Sequence, residues 1–137
     1  MILKSRYIVA IICAVTLFVS GCTGSGEKKA VQVADGFITA YYKADYELAK
    51  QYAEPNLAAL VQETIDMVSA LPEDVAAELK SLSEETEVIQ KGVNLFQEED
   101  YIVSYDVIIP EEGEIVAHSV IVSFSEERDR WEVVEIR

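Results

Sequence analysis

Apolar residues recur along this chain with two different periods, and the change between them falls near Ser83. Ala30, Val33, Ala34, Phe37, Ala40 and Tyr41 step by three and four, the spacing of one helix face, and predict a helix to about Lys43. Asp45 offers an N-cap for a short second helix through Tyr52, with Leu48, Ala49 and Tyr52 inward. Glu54-Pro55 breaks it, because proline disfavours helix in the residue before it and suits a first helical turn. A third helix is expected from about Asn56 to Ala70, burying Leu57, Leu60, Val61, Ile65 and Val68. A fourth is expected from Pro72 to about Leu82, with Val75, Leu79 and Leu82 facing inward.

Beyond Ser83 the period drops to two and Val, Ile, Tyr and Phe dominate, which marks strands. Four are readable, over 87–97, 101–109, 114–124 and 130–136. The acidic turns between them are so short that neighbouring strands must run antiparallel. Helices first and a four-stranded antiparallel meander afterwards predict an α+β fold with the helices on one face of the sheet.

Alternation also fixes which side chains share a face. Tyr101, Val103, Tyr105, Val107 and Ile109, with Val116, His118, Val120, Val122 and Phe124, are bulkier than their alternates and should face the helices. If Ile109 and Glu114 close a four-residue loop, His118 lies opposite Tyr105, Val116 opposite Val107 and Val120 opposite Val103. A one-residue slip would scatter this apolar set and put His118 opposite Asp106. The single histidine is therefore expected in the interior beside Tyr105, with Tyr41 and Tyr42 as neighbours and these four as a candidate pocket. Ile102, Ile108, Ile115 and Ile121, extended by Trp131 and Val133, are left on the far face as a candidate interface for a second copy or a partner.

Before the first helix, Lys4 and Arg6 precede an apolar run from Tyr7 to Val19 that ends on Ser20-Gly21-Cys22, the order of a secretory signal. That run is shorter than the roughly 20 residues a bilayer-spanning helix needs. Val19-Ser20-Gly21-Cys22 resembles the lipobox of prokaryotic lipoproteins, in which the leader is cut before a cysteine that then carries acyl chains. The resemblance implies a leader over 1–21, lipidation at Cys22 and a domain held outside the cytoplasmic membrane by its lipid anchor. Residues 22–29 then read as a flexible tether and 30–137 as the folded domain. Cys13 would leave with the leader and Cys22 would be consumed, so no thiol would remain for a disulfide or a nucleophile.

Charge narrows the partners. The 137 residues hold 25 acidic and 11 basic side chains, a net charge of −14, with no basic stripe to neutralise phosphates, so nucleic acid is not an expected partner. One histidine and two cysteines leave no His/Cys metal cage, and the acidic turns lack the calcium-loop pattern, so no metal and no cofactor are expected.

The stretch AVQVADGFITAYYKADYELAKQYAEPNL, with Phe37, Tyr41, Asp45-Tyr46-Glu47, Ala49 and Tyr52 in order, resembles the opening helices of the NTF2-like (cystatin-like cone) superfamily. Small prokaryotic lipoproteins of this architecture form several families without an assigned activity. The resemblance implies a curved sheet wrapped on a long helix, often with a pocket in the cone, and frequently a dimer through the sheet. Enzymes of the superfamily, such as ketosteroid isomerase and scytalone dehydratase, place acid and base residues in that cavity. This chain departs from them: no Asp stands on the assigned inner strand face, and Asp106 falls outside. The expectation is a non-enzymatic binding or accessory module for a small apolar ligand or a partner. A small lyase or isomerase using His118 and Tyr105 is the alternative.

Overall fold

The computed structural model describes residues 25–110 and 113–137; the expected leader and Cys22 lie outside them. Four helices, α1 (Ser25–Tyr42), α2 (Tyr46–Tyr52), α3 (Pro55–Ser69) and α4 (Glu73–Glu85), precede four strands. These are β1 (Glu87–Phe96), β2 (Asp100–Ile109), β3 (Glu114–Ser125) and β4 (Arg130–Ile136), forming one open antiparallel sheet in the order β1-β2-β3-β4. The α+β layout expected from the periodicity is the one found.

The central register is also the expected one, with Tyr105 opposite His118, Val107 opposite Val116 and Ile109 opposite Glu114. Register shifts between Gln90 and Gly92 in β1, and opposite Ile121 and Val122 in β4, bend the two edge strands.

α1 lies across the sheet and touches all four strands. Ala30, Ala34, Phe37 and Ile38 are fully buried against Val103, Tyr105, Val120, Val122 and Val133, and this layer is the core. Helix α1 begins earlier than the alternation suggests: Ser25 to Lys29, read above as part of a tether, are already helical. The cause is tertiary. Gly26 carries no side chain, so the indole of Trp131 closes over the first turn; a Cβ there would sit 3.3 Å from the ring. α1 ends in a turn closed by Asp45 N–H donating to the Ala40 carbonyl, with Ala44 in the left-handed region at φ 61°.

Asp45 caps α2 by accepting from Leu48 N–H, and the Glu54 carboxylate accepts from Leu57 N–H at the start of α3, where Pro55 takes the first helical position. Between α2 and α3 the chain runs along β4, with Ala53 bridged to Val133 and Glu54 N–H donating to the Val133 carbonyl at 2.9 Å. The outer helices are less buried than their apolar stripes predict. Leu48, Leu60 and Val75 are exposed; α3, which carries Leu60, meets the body mainly through α2 and β4. The C-terminal end of α4 is held by Lys43, whose Nζ donates to the carbonyls of Glu84 and Thr86 at 3.0 and 2.7 Å, a cation placed where the helix dipole favours it.

Two expectations about the far sheet face are corrected. Trp131 pairs with Phe124 and Val133 with Val122, so both face the helices, and Glu132 between them takes the far side. Ile121 is 2% exposed and cannot belong to an open row. The Arg137 guanidinium lies 5.2 Å from the centre of the Phe96 ring. Those residues belong to opposite edges of the sheet, so their contact spans β2 and β3.

Candidate functional site

Between α1 and the sheet lies a group of four polar side chains. Asp35, Ile38 and Tyr42 share one stripe of α1 at i, i+3 and i+7, and that stripe faces the cross-strand pair Tyr105 and His118. The Tyr105 hydroxyl donates to Asp35 Oδ1, and the Tyr42 hydroxyl pairs with His118 Nε2. His118 Nδ1 lies 3.2 Å from the Arg137 carbonyl. That backbone oxygen can only accept, so Nδ1 carries a hydrogen, and Nε2 is the ring atom left to pair with Tyr42.

Burial, and then the hydrogen bond to Asp35 and its charge, hold the Tyr105 phenol well above the usual tyrosine range. Burial, followed by the neighbouring Tyr41, raises Tyr42 as well. Both phenols thus stay protonated and serve as hydrogen-bond donors. No buried side-chain nitrogen or oxygen among the described residues lacks a partner. The arrangement can orient α1 on the sheet; to transfer a proton to a ligand, it would first have to break one of its own pairs.

Asp35 is the residue that strand alternation missed. It comes from the helix, and its signal was its i+7 relation to Tyr42. Tyr41 meets the Tyr42 ring edge-on at 5.6 Å but stands outside the hydrogen-bonded group; its ring also stacks on Phe37 at 6.1 Å and meets Tyr46 edge-on at 5.3 Å. Of the four candidate pocket residues, the structure brings together Tyr42, Tyr105 and His118. On the far face Ile108 pairs with Ile115, which is 62% exposed, while Ile102 is half-buried beside the covered Ile121. Among the described residues no three His, Cys, Asp or Glu side chains gather where a cation could sit.

An open pocket of about 650 Å3 lies at the other end of α1. Tyr52, Phe124 and Trp131 give it an aromatic wall, and Lys29, Gln32 and Gln51 bring polar groups to it. Phe124 and Trp131 meet edge to face at 5.5 Å. Tyr52 is set by α1: its ring fills the space beside Gly36, where a Cβ would come within 2.5 Å. Arg130 shapes another side. It donates to the carbonyls of Gln51 and Ala53 and, with Arg128, to the carboxylate of Glu132, which is 1% exposed. The hydrogen bonds from Arg128, then those from Arg130, hold that carboxyl below the ordinary glutamate range against the opposing cost of burial. The walls of this pocket come from α1, α2 and two strands that only the fold joins.

Compared with protein-family models, with curated proteins and with solved structures, the chain matches none.

Proposed function

We propose that this chain is a membrane-anchored, extracytoplasmic lipoprotein domain that binds a ligand without transforming it, and that the pocket beside Trp131 is the ligand seat. One contrast carries the reading. The interior groups Asp35, Tyr105, Tyr42 and His118 are engaged with one another, whereas the pocket is open, walled by aromatic rings and of the volume that small-molecule sites have. The leader pattern ending at Cys22 supports the anchor. Kinship with NTF2-like cones belongs to the proposal, supported by the order of helices and meander. The test is native mass spectrometry of the protein extracted from membranes. A small copurified ligand, lost in Trp131→Ala, is the expected result; a ligand retained by that variant would place the seat elsewhere.

A lyase or isomerase remains the second reading, and one observation favours it: Asp35 supplies, from the helix, the carboxylate that the inner strand face lacks. The two readings part on Asp35→Asn, which would impair ligand retention in an enzyme of that kind and spare it if the seat is beside Trp131. Pairing of two copies through the far sheet face is a further part of the proposal, resting on exposed Ile89 and Ile115 beside Ile108. Sedimentation of Ile115→Asp as a monomer, where the parent is a dimer, is the expected result; a monomeric parent would remove the interface.

A further inference from the structure

The helix-facing side of the sheet does not end under the helix. At the end where α1 begins it continues into Leu95, Tyr101, Phe124 and Trp131, which gather at the rim. Leu95 is paired with Tyr101 across β1 and β2, and Phe124 with Trp131 across β3 and β4. Tyr101 and Trp131 close the gap between the two pairs, with ring centres 5.7 Å apart. This is apolar surface on display: Leu95 is 65% exposed and Phe124 40%.

The position of the cluster relative to the chain's start says what covers it. Gly26, in the first turn of α1, lies directly against the Trp131 ring. Cys22 stands only three residues before Ser25, and three residues span at most about 10 Å even when fully extended. Whatever surface holds Cys22 therefore lies within reach of these rings. We propose that the cluster is a membrane seat: in the anchored protein Leu95, Phe124 and Trp131 rest in the headgroup layer of the bilayer, fixing the domain with the N-terminal end of α1 against the lipid. The inference rests on the reading of Cys22 as the anchor.

The chemistry suits that layer. Tryptophan and tyrosine collect at membrane interfaces, where an apolar ring and a polar edge are both accommodated. The neighbouring turns carry Glu98, Glu99, Glu126 and Glu127, so the seat should favour zwitterionic headgroups over anionic ones, which would repel them.

Trp131 is the only tryptophan, so fluorescence reports this site alone. The full chain, made in a bacterial host and extracted from its membranes, would be reconstituted into phosphatidylcholine vesicles with and without lipids brominated near the headgroup. Bromolipid is expected to quench Trp131 emission, and less so once phosphatidylglycerol is added. Leu95→Glu alters an exposed position that does not line the ligand pocket; the variant should still float with the vesicles but lose the quenching. A protein that floats with acylated mass, yet whose Trp131 emission ignores the bromolipid, overturns the seat and leaves the anchor standing. A product without acyl mass that does not float overturns both.

Discussion

Tyr105 and His118 stand opposite each other across β2 and β3, yet each spends its polar group on the helix: Tyr105 on Asp35, His118 on Tyr42. Two cross-layer bonds seven residues apart along α1 fix both the rotation and the axial position of that helix on the sheet.

Alkaline stability should report the first of these bonds. An unfolded tyrosine loses its proton near pH 10, whereas folded Tyr105 keeps it well beyond that, so the folded state binds more protons and stability falls as pH rises past about 10. Tyr105→Phe should flatten part of that decline in denaturant melts above pH 10 and cost about 1 kcal/mol at neutral pH. An unchanged alkaline slope would remove the Asp35 bond from the account.

Acid stability should report Glu132. Its folded pKa is depressed, so its contribution is complete above the unfolded carboxyl's value of about 4.3 and is lost as pH falls below that toward the folded value. Glu132→Gln should cost about 2 kcal/mol at neutral pH and make the melting temperature less sensitive to acid. A variant as stable as its parent at pH 7 would show that Arg128 and Arg130 gain nothing from the carboxylate.

How far these features were legible depends on the range of the interaction that sets them. The strand pairing was readable because Pro110 and Gly113 bracket a loop whose length dictates the register, and bulky residues then meet their like. The early start of α1 was not: nothing in Ser25 to Lys29 announces that Trp131, over a hundred positions later, will lie on Gly26. Trp131 and Val133 were assigned to the wrong face because a seven-residue strand with a register shift gives alternation little to work with. The contact of Arg137 with Phe96 joins the two sheet edges, which no local pattern encodes.

Gly36 should resist replacement. Alanine would raise helix propensity by about 1 kcal/mol, but its methyl group would occupy the place of the Tyr52 ring. The ring must swing toward the pocket, so Gly36→Ala is expected to be net destabilising by about 1–2 kcal/mol and to weaken any ligand held there. Thermal melts alongside ligand retention check both halves; a stabilised variant would mean that Tyr52 moves away at little cost.

Ala44 offers the opposite case. Its left-handed backbone at φ 61° disfavours any Cβ, so Ala44→Gly should stabilise the chain by about 1 kcal/mol, measurable as a higher denaturation midpoint with an unchanged slope. A lower midpoint would mean that the flexibility gained in the unfolded chain outweighs the strain relieved.

The splice of Ala53 and Glu54 onto β4 bears on how copies of this domain can meet. A strand arriving at the middle of that rim would find the Val133 carbonyl already claimed. Fibre growth by strand addition needs two open rims on every subunit, one to receive and one to offer. With the β4 side obstructed, joining along β1 ends at a pair, and concentrated solutions should scatter light as closed pairs, without the steady rise of an elongating filament.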